Sequence, residues 1–192
     1  MPLTKLGRGG GIALAVDLLN SWDELEPEPD LLSPRWLRYY LDFHGVPAEA
    51  EVGEDEVVAA RELRERLRAG FDAASEAEGV AALNAILRDF GEPPQLERDG
   101  RSWRFRYGPS EGRPIEVVAP AAALGLLEAI REHGLERFGR CRAHPCRCVF
   151  VDRSRNRSRR YCCELCADRA NQAASRRRRR RDAGPGEPAS VR

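Results

Sequence analysis

The chain has six cysteines, and all of them fall in CRAHPCRCVFVDRSRNRSRRYCCELC, residues 141–166. Thiols gathered this closely can bind a metal, pair as disulfides or supply a nucleophile. Cys141, Cys146, Cys162 and Cys166 read C-x4-C-x15-C-x3-C. Each close pair can form a knuckle that turns two sulfurs inward, and the long loop then brings the knuckles together. Tetrahedral Zn2+, about 2.3 Å from each sulfur, requires that arrangement. Cys163 in place of Cys162 would give a C-x2-C pair with Cys166. Cys148 is a spare thiol, and His144 is a substitute ligand inside the first knuckle. Iron–sulfur ligation would use the same thiols. Disulfides accompany export, yet MPLTKLGRGGGIALAVDLLNSWDE has a short apolar patch, no small-residue cleavage site and early acidic residues, so it reads as the first buried helix of a cytosolic chain. A catalytic thiol needs a partnered base in a cleft, and no histidine outside the cluster has a visible claim to that role. The expectation is one structural Zn2+ per chain and no enzymatic activity.

Zinc also answers a folding problem. Residues 141–181 hold few large apolar side chains, chiefly Val149, Phe150, Val151, Tyr161 and Leu165, too few for a self-sufficient core. Metal binding contributes about 10–16 kcal/mol in isolated zinc-finger peptides, enough to replace that burial.

The net charge of +1 hides a division. Residues 137–181 carry 16 arginines against Asp152, Glu164 and Asp168, a net +13, whereas residues 1–136 carry 15 basic against 26 acidic residues, a net −11. Even with a tetrathiolate zinc centre of charge −2, the basic segment stays near +11. Such a surface suits a polyanion, because each neutralised phosphate releases condensed counterions. Arg153, Arg155, Asn156, Arg157, Arg159 and Arg160 lie between the knuckles. Arg169, Arg176, Arg177 and Arg178 lie beyond Cys166, where Ala167, Ala170, Ala173 and Ala174 recur at helical spacing. These ten residues are the candidate nucleic-acid contacts, with Arg159 or Arg160 alternatively pairing with Asp152 or the thiolates. The acidic part could also cover the basic part until a signal releases it.

The elements that must position this segment are mostly helical. IALAVDLLNSW is a first helix with an apolar side, on which Asp17 and Asn20 share a face as candidates for a polar contact to a ligand or to the cysteine segment, or for a buried hydrogen bond. Ser33-Pro34 opens RWLRYYLDFH and Gly45 closes it. Residues 53–78 form one helix through Val57, Ala60, Leu63, Leu67 and Phe71, and EGVAALNAILRDFG forms another. Asp99-Gly100 followed by Trp103, Phe105 and Tyr107 predicts a β-hairpin with the aromatics in its core rather than as a base-stacking platform. PIEVVA is a third short strand, and AALGLLEAIREHGLERFGR is a helix running directly into Cys141. The fold class is α+β: a mainly helical domain with one hairpin over 1–136, a small treble-clef-like zinc-knuckle domain ending in a helix over 137–182, and a disordered tail over 183–192. No apolar run approaches the roughly 20 residues that span a bilayer.

The residues CRAHPCRCVFVDRSRNRSRRYCCELCADR resemble the CGNR zinc finger of bacterial transcription regulators. The likeness rests on Cys141 and Cys146, on Phe150 and Asp152, and on Ser154 through Cys162. The signature Cys-Gly-Asn-Arg appears as Cys166-Ala167-Asp168-Arg169, changed at two of its four positions. The resemblance selects Cys162 over Cys163 as the third ligand. Leu14–Ser21, LAVDLLNS, is similar to the start of the helical ABATE domain that precedes this finger. Together they imply a stress-responsive, zinc-dependent regulator of double-stranded DNA in the bacterial cytoplasm, at the nucleoid, whose front domain senses an effector or forms a homodimer. RNA binding and a protein-interaction adaptor use the same surface and are the competing classes.

Overall fold

A computed structural model describes residues 10–46, 52–100, 102–106, 108–109 and 112–182. Tyr107 and the tail over 183–192 lie outside the described residues. Helix α1 (Gly11–Leu19) is the centre of the fold. Ala13, Leu14, Ala15, Val16, Leu18 and Leu19 are all buried, so the helix is enclosed on every side rather than amphipathic. It packs on α3 (Glu54–Phe71) and α5 (Pro114–His133), while α2 (Pro34–His44) lies on α3. The α1–α5 approach depends on glycine: a Cβ on Gly125 would stand 2.2 Å from the carbonyl carbon of Gly11 and 2.3 Å from the nitrogen of Ile12. Tyr40 of α2 fixes its buried hydroxyl by donating to the carbonyl of Leu14, at 2.9 Å.

Helix α2 forms as its sequence dictates. Ser33 Oγ accepts from the Trp36 amide at 3.3 Å, Pro34 occupies the first turn, and Gly45 closes the helix with φ 66°, a left-handed value that glycine adopts without penalty.

Three expectations are corrected. The boundary between the two helices expected over 53–91 moves: α3 ends at Phe71, and α4 (Glu76–Phe90) begins after Ser75, whose hydroxyl accepts from the Glu78 amide. A serine inside a periodic run favours a cap over a continued helix. PIEVVA is not a strand but the first turns of α5. Pro114 suits the first turn, the Glu116 carboxylate accepts from the Arg113 amide at 3.0 Å, and Ile115, Val118, Ala119 and Ala122 are buried at helical spacing. Burial of that face overrides the β preference of Ile115, Val117 and Val118. Nor does a helix run into Cys141. It stops at His133, because Gly134 at φ 77° breaks the spiral, and a 3-10 turn (Leu135–Arg137) follows.

The predicted hairpin is present as β1 (Gln95–Asp99) and β2 (Ser102–Arg106), with Leu96 opposite Phe105 and Arg98 opposite Trp103. Its aromatics, however, face outward: Trp103 is 58% and Phe105 59% exposed. The other face is held by Arg106, which donates to Glu97, to the Gly108 carbonyl and to Gln95. A second, unpredicted ribbon pairs β3 (Phe138–Arg140) with β4 (Val149–Val151), setting Phe138 against Val151 and Arg140 against Val149. Strand alternation makes β4 the shared element. Val149 and Val151 enter the helical core, whereas Phe150 points into the cysteine cluster. Helix α6 (Glu164–Asp182) ends the described chain. No helix among the described residues is long and apolar enough to cross a membrane.

Candidate metal centre and nucleic-acid interface

The first knuckle grows out of the β3–β4 ribbon. Cys141 follows β3 directly, and its amide donates to the Cys148 carbonyl at 2.8 Å, folding Arg142–Arg147 into a turn that returns Cys146 beside it. The second knuckle is the start of α6, with Cys162 just before the helix and Cys166 in its first turn. The sulfurs of Cys141, Cys146, Cys162 and Cys166 all lie within 4.8 Å of one another, and all four residues are buried. Cys146 and Cys162 sulfurs are 3.8 Å apart, and those of Cys162 and Cys166 are 3.6 Å apart. The edge of a ZnS4 tetrahedron with 2.3 Å bonds is about 3.8 Å, so the cradle has the dimensions of the ion. His144 is exposed and outside the cluster, Cys163 is exposed, and all six cysteines are free thiols rather than disulfides.

The electrostatics point the same way. Hydrogen bonding to Cys146 and Cys148, together with burial, pushes the Cys162 thiol far above its usual range. Burial takes Cys166 up to about 12. Cys146 is held far below by hydrogen bonds from Cys148 and Cys162. Four thiolates packed this closely in so buried a place need a cation between them. The four cysteines are positioned to bind one metal ion, as one Zn2+ requires. Bound there, zinc supplies the cross-link between ribbon and helix that the few apolar side chains of the segment cannot.

The loop between the knuckles is organised around Asp152. Its carboxylate accepts from the amides of Ser154 at 2.7 Å and Arg159 at 3.0 Å. Burial raises its pKa, but the hydrogen bonds from Ser154 and Arg159 and the charge of Arg137 outweigh that and leave it lowered. Arg137 donates to the carbonyls of Asp152 and Ser154, and the Arg142 amide donates to the Arg160 carbonyl at 3.0 Å. This fixed loop presents Arg153, Arg155, Asn156, Arg157 and Arg160 to solvent, and α6 presents Arg176, Arg177 and Arg178. Arg157 reaches Glu136 at 3.0 Å, and Arg140 pairs with Asp72.

Arg159 and Arg169 are placed differently. Arg159 stacks over the Phe150 ring at 4.7 Å and donates to the carbonyls of Tyr161 and Cys162. Arg169 donates to Cys166 Sγ at 3.0 Å. Both guanidiniums face the cluster. Arg137 has no local signal in the sequence, because its partners lie 15 and 17 residues away.

The two polar residues of α1 part company. Asn20 grips the finger strand in both directions: its Nδ2 donates to the Val149 carbonyl at 3.0 Å, and its Oδ1 accepts from the Val149 amide at 2.7 Å. Asp17 instead accepts from His44 Nε2 at 3.1 Å, both side chains being almost fully buried.

A ribbon and a helix start that converge four cysteines on one point define a zinc-finger protein, and residues 137–179 match the CGNR zinc finger. The helical body specifies the rest. Residues 13–133 match ABATE, described as "Putative stress-induced transcription regulator", and the chain belongs to the ABATE family. Both families are of regulator or zinc-finger type rather than enzymes. A comparison with curated proteins found no match.

Proposed function

We propose that this protein is a zinc-dependent transcription regulator of the bacterial cytoplasm that binds double-stranded DNA through its finger. In this reading Cys141, Cys146, Cys162 and Cys166 hold one Zn2+. Arg153, Arg155, Asn156, Arg157 and Arg160 on the loop, with Arg176, Arg177 and Arg178 on α6, meet the phosphates and base edges. Arg159 and Arg169 shape that surface from beneath. Residues 1–136 act as the regulatory body, sensing an effector or forming a homodimer, and 137–182 as the finger. The observation that carries the reading is the placement of Arg153, Arg155, Arg157 and Arg160, all exposed, on a loop tied at both ends to the sulfur cluster, within a segment of net charge +13. A charge run that was only a solvated tail would not be anchored in this way.

The test is a gel-shift titration of zinc-loaded protein on duplex DNA and on structured RNA at matched salt. DNA is expected to bind more tightly, with a log–log salt slope near −5 for about six phosphate contacts. Tighter binding to RNA would favour the RNA-binding class. Binding to neither would favour a protein-interaction adaptor.

A further inference from the structure

Two thiols stand outside the four-sulfur cradle. Cys148 is buried, at 2% exposure, against Cys146 and Cys162. Cys163 is exposed and stands immediately before α6. Its sulfur is 3.8 Å from that of Cys162 and within hydrogen-bonding reach of Cys166. Cys163-Glu164-Leu165-Cys166 is therefore a C-x-x-C pair at the start of a 19-residue helix, with an exposed first sulfur and a buried second. Dithiols of that spacing and placement are the ones that cycle readily between thiol and disulfide. The chain thus sets an accessible nucleophilic sulfur one helical turn from a sulfur of the metal cradle.

We propose that Cys163 is a peroxide-oxidation site whose disulfide with Cys166 dismantles the metal centre. The inference rests on the zinc reading above. The Cys163 sulfur attacks one oxygen of a hydroperoxide and breaks the O–O bond, giving a sulfenic acid and releasing water or an alcohol. The Cys166 sulfur then attacks the sulfenyl sulfur, forming the S–S bond and expelling the second oxygen as water. The two sulfurs together give up two electrons to the peroxide, and where Cys166 starts as a thiolate, solvent supplies the proton that completes the second water. Cys162 is a poor resolving partner, because a bond between sequence neighbours closes a small ring around a planar trans peptide. Cys166, one turn along, carries no such constraint. With Cys166 oxidised, only Cys141, Cys146 and Cys162 would remain to hold zinc, and Arg169 would lose the thiolate it donates to. The first turn of α6 is then freed from the ribbon, and the exposed arginines farther along that helix lose their fixed placement relative to the loop.

The experiment uses the full chain loaded with zinc, its metal content measured before hydrogen peroxide is added. Released zinc is followed with a chromogenic chelator, and disulfides are mapped by peptide mass spectrometry without reduction. The expected result is a Cys163–Cys166 disulfide that accumulates in step with zinc release. Cys163→Ser, at an exposed position outside the cradle, should still bind one zinc per chain but release it about tenfold more slowly under peroxide. Release from Cys163→Ser at the unmodified rate, or a map showing Cys141–Cys146 or Cys148 pairs instead, would overturn the proposal. Metal content judges the earlier reading separately. A chain without zinc that still forms the Cys163–Cys166 bond would remove the zinc and leave the dithiol standing, and one that forms no such bond would remove the dithiol.

Discussion

Replacing Asn20 by alanine tests whether the helical body and the finger form one cooperative structure. The side chain satisfies both backbone groups of Val149, at 3.0 and 2.7 Å, in a place where Asn20 is 6% and Val149 2% exposed. Alanine leaves a buried carbonyl and a buried amide without those partners. Each such group costs about 1–3 kcal/mol, so the expected loss is about 2–6 kcal/mol, a large share of the roughly 5–15 kcal/mol available to a domain. Urea unfolding of the zinc-loaded chain, followed by far-UV circular dichroism, should show a lower midpoint in a single transition. Val149→Ala provides the comparison: it keeps both hydrogen bonds and removes two methyl groups from the core, costing about 1.5–2.5 kcal/mol. A change below about 0.5 kcal/mol for Asn20→Ala, the range of ordinary surface substitutions, would refute the reasoning. So would two separate transitions in the unmodified chain, since the strand would then belong to the finger alone.

Other outcomes follow from the same structure. Gly125→Ala places a methyl against the backbone of α1 on a side that cannot yield. It should cost about 1–3 kcal/mol and lower the melting temperature by roughly 2–12 °C in a calorimetric scan. Asp30 and Asp152 both have lowered pKa values: burial raises each, but the guanidiniums of Arg64 and Arg61 outweigh it at Asp30, and the amides of Ser154 and Arg159 do so at Asp152. A depressed carboxylate stabilises the folded state above its unfolded pKa, about 3.9. That contribution is lost as pH falls through the folded value, so stability measured by urea midpoint should be flat above about pH 5 and decline below about pH 4. Asp30→Asn should flatten part of the decline. Arg155→Ala should weaken duplex binding on all sequences and reduce the salt slope by about 1 with zinc affinity unchanged. Arg159→Gln should instead lower zinc retention against a chelator, because it loses the contacts beneath the cluster.

Local chemistry was legible in the linear chain. Ser33, Pro34 and Gly45 mark the limits of α2 because a cap needs only residues within one turn. Asp99-Gly100 marks its hairpin because Gly100, at φ 58°, takes the left-handed turn conformation right after Asp99 pairs with Ser102. The four-cysteine cradle could be read because each knuckle is short, although the choice of Cys162 over Cys163 came from a family likeness and not from spacing. Tertiary structure decided what depends on distant partners. PIEVVA became helix because the packed face of α5 outweighs the preference of its β-branched residues. Trp103 and Phe105 turned outward because Arg106 holds the opposite face. The β3–β4 ribbon was invisible because three-residue strands carry almost no periodicity, and Asn20 meets Val149 across 129 positions. Side chains near in sequence are linked by the chain's own geometry, whereas the fate of Asn20, Arg159 and Arg169 was set by which surfaces the fold brought against them.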